Sequence, residues 1–242
     1  MPGEGFQGRR PSAARGTGDE QSTRAHEVHD QWLALVAALA LPVGPGGDEG
    51  RPLVVDLLRT GGLLVTGPPG SGRSSALEAF ARHLTARGAR VLRVGHRFAG
   101  RSGAEPVGDW LDPEDLEGAR RWLDDRSAQP CVVVADDVGT PAESPVLDAL
   151  PALGSRSGVT LVAAATASQL AGHYQGAVAH LRRSRSGLLL CPGAGDAEVL
   201  GLRLPRIPLP ARPGCGWLAT GTRLDRVQVA RRRHPAVEPS SR

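Results

Sequence analysis

The stretch LLVTGPPGSGRSS, residues 63–75, decides the fold of this chain of 242 residues. It begins with apolar residues that favour a strand, passes through a loop that contains Gly67, Gly70 and Gly72, and leads into the helical pattern ALEAFARHL. Glycines at this spacing let the backbone curl until successive N–H groups point inward, and the start of a helix adds a positive end. The stretch therefore predicts a strand, an anion-binding loop and a helix in succession.

The loop fits the phosphate-loop pattern G-x-x-x-x-G-[K/R]-[S/T], which here starts at Gly67 and ends at Arg73 and Ser74. In this pattern backbone N–H groups surround the phosphates of a nucleotide, and the final hydroxyl binds Mg²⁺. Ser74 is therefore a predicted Mg²⁺ ligand. The residues predicted to bind ATP are Gly67, Pro68, Pro69, Gly70, Ser71, Gly72, Arg73, Ser74 and Ser75.

A second motif, CVVVADD at residues 131–137, has the form of a buried strand that ends in two acids. In phosphate-loop NTPases an acid at this place holds Mg²⁺, so Asp136 is predicted to bind the ion through water. Asp137 stands where a carboxylate orients the attacking water, which makes it a catalytic candidate. The alternative is that both acids merely cap the next helix. The order of the two motifs within one α/β pattern favours the paired interpretation.

Arg73, the other catalytic candidate, stands where working phosphate loops carry a lysine. A lysine is a compact charge that reaches between the β- and γ-phosphates, whereas a guanidinium is planar and bonds as a fork. All 29 basic residues of the chain are arginine. We expect nucleotide binding through the backbone to survive this change and transition-state positioning to suffer. Whether the chain hydrolyses ATP by itself stays open at this stage.

Strand-like and helix-like runs alternate through the middle of the chain, which predicts an α/β fold with a parallel sheet. Continuous apolar runs such as TLVAAA are typical of strands that are covered on both faces. Two short runs, GWLAT and RLDRVQVA, predict a C-terminal hairpin. The predicted strands are residues 53–56, 63–66, 90–94, 131–135, 159–165 and 187–190, and the predicted helices are residues 74–86, 113–125, 144–153 and 168–183.

The flanking segments differ in composition from this middle part. Residues 1–25 mix Gly, Ser, Pro and both charge signs, which predicts a disordered tail. Residues 26–49 are predicted to form a helix, from His26 to Leu41, and a linker. The predicted NTPase domain then covers residues 50–231, and residues 232–242 form a loose tail.

Composition limits the classes of protein to which the chain belongs. It has no secretory signal and no apolar run of membrane-span length, so we expect a cytoplasmic protein. Cys131, Cys191 and Cys215 are far apart and odd in number, which predicts free thiols. Residues 178–242 carry 12 arginines against 4 acids, which indicates either an anionic partner or a solvated basic surface.

Residues 51–84, taken with VVVADD, resemble the ATPase module of actinobacterial FtsK/SpoIIIE-type proteins. Two C-terminal stretches, SRSGLLLCPGAGDAEVLGLRLP and PGCGWLATGTRLDRVQVA, resemble the signature of that family. The resemblance covers about residues 50–231 and implies a RecA-like P-loop NTPase with a mainly parallel central sheet and a C-terminal β-hairpin. The matching positions of the signature are Gly187–Leu190, Pro192, Asp196, Gly201, Pro205, Gly214, Gly216 and Gln228–Ala230.

The resemblance also implies what such a module does and where this chain departs from it. It implies ATP and Mg²⁺ as cofactors, DNA or a secreted protein as substrate, and other FtsK/SpoIIIE-type modules or copies of the chain as partners. Gln175 and Cys215 stand where members of the family often carry arginines. These losses weaken the case for an intact catalytic or inter-subunit arginine network. The SGRS form of the loop, with Arg73, resembles the last, degenerate module of a multi-domain FtsK/SpoIIIE or type VII secretion ATPase.

Two alternatives remain open at the level of sequence. One is a non-hydrolysing adaptor, a regulatory pseudo-ATPase that binds a partner ATPase or a secreted protein. The other is an unrelated small P-loop enzyme such as a kinase, which needs a substrate pocket and a lid. Affinity for ATP and its turnover discriminate between the motor module and the adaptor.

Overall fold

A ten-stranded β-sheet organises this computed structural model, which describes residues 33–95, 107–125, 129–139, 143–150, 158–193 and 195–229. The chain divides into two units, residues 1–35 and 36–242, and the sheet belongs to the second. Both predicted tails, residues 1–25 and 232–242, lie outside the described residues. The strands are β1 (Ala40–Gly46), β2 (Arg51–Asp56), β3 (Gly62–Thr66), β4 (Arg90–Val94), β5 (Asp109–Leu111), β6 (Cys131–Ala135), β7 (Val159–Ala165), β8 (Ser186–Leu190), β9 (Cys215–Thr220) and β10 (Arg223–Gln228).

Six strands in the order β8-β3-β7-β6-β4-β5 form a parallel half of the sheet. Every residue of β3, β6 and β7 is buried, which is the physical reason for their continuous apolar runs. The predicted α/β class with a mainly parallel sheet is confirmed. The short strand β5 at the edge was missing from the prediction.

The other half of the sheet is antiparallel, in the order β2-β1-β10-β9-β8. Strands β9 and β10 form the predicted C-terminal hairpin. Because β9 pairs with β8 and β10 pairs with β1, the hairpin lies inside the sheet rather than at its edge. The N-terminal strands therefore extend the sheet beyond it.

Helices pack against these strands. The longest, α2, contacts β1, β4, β6 and β7, and α6 contacts β3 and β8. None of the helices in the described ranges is long and apolar enough to cross a membrane. Residues 33–38 are helical and belong to the helix predicted from His26 to Leu41, of which residues 26–32 lie outside the described residues. The other helices are α1 (Leu57–Thr60), α2 (Arg73–Ala86), α3 (Leu116–Asp124), α4 (Pro145–Asp148), α5 (Ala167–Ala171) and α6 (Gly176–Ser184), with a 3₁₀ turn at Glu198–Leu200.

Two sequence predictions about elements were wrong. β1 covers the last two residues of the predicted helix and the first part of the predicted linker. In this strand Leu41 and Val43 are buried and Pro42 is exposed. The prolines hid this alternation, and the ladder accommodates them with a register shift between Pro42 and Gly44. The single helix predicted at residues 168–183 is instead α5 and α6, which are separated at residues 172–175.

Gly62 gives a test of how closely β3 and β7 approach. A Cβ atom on Gly62 would lie 1.8 Å from the carbonyl oxygen of Leu161, and the residue has φ 143°. We expect Gly62→Ala to lower the free energy of unfolding by about 3 kcal/mol or more. Gly221→Ala is the matched control, because Gly221 also has a positive φ but open space around it, and it should cost about 1 kcal/mol. Equal urea midpoints for the two variants would contradict the close approach.

Candidate functional site

The loop between β3 and α2 has the backbone of an anion-binding loop. Gly67, Gly70 and Gly72 have φ values of 155°, 82° and 100°, which only glycine adopts without strain. No side chain caps the N-terminus of α2 among the described residues, so the N–H groups of its first turn are available. The helix has 14 residues, and its positive end faces the loop. The geometry therefore fits the phosphate loop that the sequence predicts.

Neighbouring elements restrict this loop on one side and leave it open on another. A Cβ atom on Gly67 would lie 2.2 Å from the carbonyl oxygen of Leu190, at the end of β8. The N–H of Gly214 donates to the carbonyl oxygen of Ser71 at 2.8 Å. Nothing lies within 4 Å of the position that a Cβ on Gly70 would take. The loop is therefore bounded by the end of β8 and by Gly214, and it is open at Gly70.

The structure brings Arg73, Ser74 and Asp136 together at the start of α2 and the end of β6. The Ser74 hydroxyl is hydrogen-bonded to the Asp136 carboxylate, and the Arg73 charge acts on the same group. Within the described residues, the Nη1 atom of Arg73 is buried and has no hydrogen-bond partner. A buried donor without a partner is costly, which suits a site that an anion completes.

Burial raises the pKa of Asp136, and the charge of Asp137 adds to this effect. The hydrogen bond with Ser74 and the charge of Arg73 act in the opposite direction. A carboxylate that is held in a buried place at neutral pH attracts a cation. Ser74 and Asp136 therefore suit a Mg²⁺ ion whose other ligands are water and phosphate.

Asp137 is next to Asp136, and its own side chain has a different partner. It is exposed, has φ 53°, and accepts a hydrogen bond from Nε2 of Gln169 at 3.1 Å. The Oε1 atom of Gln169 accepts from both the N–H and the hydroxyl of Thr166, each at 2.8 Å. These bonds fix the amide so that its donor faces Asp137. Neither Asp136 nor Asp137 caps a helix among the described residues, since the N-cap of α4 is Ser144.

Sequence reasoning missed Thr166, Gln169 and the turn at residues 212–215. The first two had a readable signal, because T-x-x-Q after a strand is a capping box, and α5 has one. The turn gave no local signal of its contact with the phosphate loop. Of the two positions at which the resemblance leads us to expect arginine, Cys215 lies at the end of this turn, whereas Gln175 is exposed at the N-cap of α6.

The raised pKa of Asp136 predicts how stability depends on pH. Its pKa is higher in the folded than in the unfolded chain, so its stabilising effect is complete below the ordinary Asp pKa of about 3.9 and is lost as the pH rises through the folded value. Asp136→Asn should therefore raise the urea midpoint at pH 7, with a gain that shrinks towards pH 4. Asp124→Asn, at an exposed position at the end of α3, is the control. A lower midpoint for Asp136→Asn at pH 7 would be incompatible with this.

Comparisons with known proteins agree on the fold. No protein-family model matches the chain, and no curated protein matches it. Its structure is similar to EssC ATPases 2 and 3 from Geobacillus thermodenitrificans (TM-score 0.63, 17% identity, covering 80% of this chain and 41% of that one). It is also similar to the cytoplasmic domain of the Thermomonospora curvata type VII secretion ATPase EccC (TM-score 0.56, 15% identity, 81% and 26% covered).

A third similar structure is VirB4 of Thermoanaerobacter pseudethanolicus (TM-score 0.56, 11% identity, 82% and 97% covered). The chain spans less than half the length of the EssC and EccC chains. Identities this low relate folds rather than activities. The chain therefore has the RecA-like P-loop fold of the ATPase modules in EssC, EccC and VirB4.

Proposed function

We propose that this chain is an ATP-binding module of the FtsK/SpoIIIE type that binds ATP with Mg²⁺ and hydrolyses it weakly. The observation that carries the proposal is the buried, unpartnered Nη1 of Arg73 beside the pair of Ser74 and Asp136. A phosphate oxygen would satisfy this donor, and a divalent cation would neutralise the carboxylate. The fold and the open glycine loop support the same assignment.

Each residue of the site has a role in this proposal. The backbone of residues 67–75 and the N-terminus of α2 bind the phosphates. Arg73 donates to the terminal phosphates, Ser74 ligates Mg²⁺, and Asp136 holds the ion through water. When bound, Mg²⁺ neutralises the charge that develops on the phosphates.

Asp137 would orient the water that attacks the γ-phosphate. Its hydrogen bond from Gln169 holds the carboxylate in one direction, which supports this role. Hydrolysis remains weak because the fork of Arg73 does not reproduce the point charge of a lysine. A non-hydrolysing pseudo-ATPase is the second candidate. It is favoured by Cys215, which stands where the resemblance leads us to expect an arginine.

The partners that we propose follow from the same resemblance. Such a module works in the cytoplasm with other FtsK/SpoIIIE-type modules or with copies of itself. The substrate that it helps to move is DNA or a secreted protein, and the EccC likeness supports the second. The arginines of the C-terminal part would contact DNA through phosphates alone, so such binding would weaken steeply with salt.

Binding of ATP tests the proposal directly. Calorimetry on the wild-type chain should detect ATP with Mg²⁺, and Gly72→Val should abolish the heat, because a side chain there meets the N–H of Gly214 at 3.2 Å. Gly221→Val is the control for a glycine with positive φ in open space. Failure of the wild-type chain to bind millimolar ATP would remove the proposal.

The weakness of hydrolysis is tested at Arg73. Arg73→Lys should raise phosphate release by about tenfold or more, a barrier change of about 1.4 kcal/mol, when a full-length family member is present. Arg82→Lys is the control, because Arg82 lies on the same helix and pairs with Glu78. A wild-type chain that alone works at the rate of an ordinary motor, and slows with Arg73→Lys, would show that arginine is the better residue here.

A further inference from the structure

Two cysteines face each other where β8 ends and β9 begins. The register of these antiparallel strands pairs Leu190 with Gly216, so the next pair outward is Cys191 and Cys215. The N–H of Cys191 donates to the carbonyl oxygen of Cys215 at 2.8 Å. Directly opposed residues of two antiparallel strands have Cα atoms about 4.5–5.5 Å apart. That separation lies within the range of disulfides, about 4.4–6.8 Å.

Both cysteines also donate a hydrogen bond to the same carbonyl oxygen. The thiol of Cys191 donates to the carbonyl oxygen of Arg212 at 3.2 Å, and the N–H of Cys215 donates to the same oxygen at 3.2 Å. Burial raises the pKa of the Cys191 thiol, and the neighbouring Cys215 thiol raises it further. Cys191 is partly exposed, whereas Cys215 is buried with 6% of its surface accessible. An oxidant therefore reaches Cys191 first.

Both strands that carry these cysteines contact the phosphate loop next to the cysteine. Directly before Cys215, the N–H of Gly214 donates to the carbonyl oxygen of Ser71 at 2.8 Å. Directly before Cys191, the carbonyl oxygen of Leu190 lies against Gly67. A covalent bond between the cysteines would therefore act on both of these contacts with the loop.

We propose that Cys191 and Cys215 are a modification site at which a small disulfide oxidant, of the glutathione class, forms a reversible disulfide that weakens nucleotide binding. The second half of this inference rests on the proposed ATP-binding function. To form the bond, Cys191 must release the carbonyl oxygen of Arg212, and the turn at residues 212–215 must move. The hydrogen bond from Gly214 to Ser71 then lengthens, and the loop loses a support. In the cytoplasm such disulfides are transient and sense redox state.

The chemistry balances in two exchange steps. The thiolate of Cys191 attacks one sulfur of oxidised glutathione, which forms a mixed disulfide and releases one glutathione thiolate. The thiolate of Cys215 then attacks Sγ of Cys191, and the second glutathione leaves. The two cysteines lose two protons and two electrons, and the oxidant gains both electrons as two glutathione molecules.

Mass spectrometry tests the bond without any nucleotide. The full-length chain is incubated with oxidised glutathione at mildly alkaline pH, alkylated and digested with trypsin. The intact mass should fall by two hydrogen atoms, and peptide 186–203 should be linked to peptide 207–223. Cys131→Ser should retain the linked pair and Cys191→Ser should lose it. A wild-type chain with no linked pair, or with glutathione still attached to Cys191, would overturn the site.

Calorimetry tests the coupling to the phosphate loop. The linked chain should bind ATP about fivefold more weakly, which is about 1 kcal/mol, the worth of one hydrogen bond. A reductant should restore the affinity, and oxidant should leave Cys191→Ser unchanged. Equal affinities of linked and reduced chains would overturn the coupling. A linked pair in a chain whose reduced form binds no ATP would overturn the proposed function and the coupling, and leave the disulfide site standing.

Discussion

The packing of β3 between β7 and β8 is the constraint on which the rest of the structure depends. At one end of β3, Gly62 lies against the carbonyl oxygen of Leu161, and just past the other end Gly67 lies against that of Leu190. Neither place has room for a side chain. The strand is therefore held by backbone contacts on both sides, and the loop that follows it begins at a fixed place beside β8. That place sets where α2 begins and thus where Arg73 and Ser74 lie.

The sequence predicted the features that neighbouring residues encode and missed those that depend on residues far apart in the chain. The strand, loop and helix around residues 63–86 and the strand that ends at Asp136 are encoded by neighbouring residues, so pattern and spacing were sufficient. Strand β1 was missed because its prolines imitate a linker, although Leu41 and Val43 alternate correctly. The contact between Gly214 and Ser71 joins residues far apart in the chain, and no local pattern encodes such a pair.

Unfavourable electrostatic interactions at the site lower the stability of the folded chain. Asp136 directly follows the fully buried strand β6. Burial makes the charge of Asp136 unfavourable, and Ser74 and Arg73 only partly offset this. The unpartnered Nη1 of Arg73 adds a second unsatisfied group in the same place. Such groups persist at functional sites because a ligand completes them, at the expense of the stability of the empty protein. One anion and one cation would satisfy both groups together.

The turn at residues 212–215 joins the pair of cysteines to the phosphate loop. Cys215 lies one position after Gly214, whose N–H donates to the carbonyl oxygen of Ser71 at 2.8 Å, and it faces Cys191 across the ladder between β8 and β9. Because the Cys215 side chain is buried, a change in its bonding acts on its own strand pair rather than on the protein surface. The backbone of that strand pair contacts the loop at Ser71 and at Gly67, so a displacement of the strand pair would reach the loop directly.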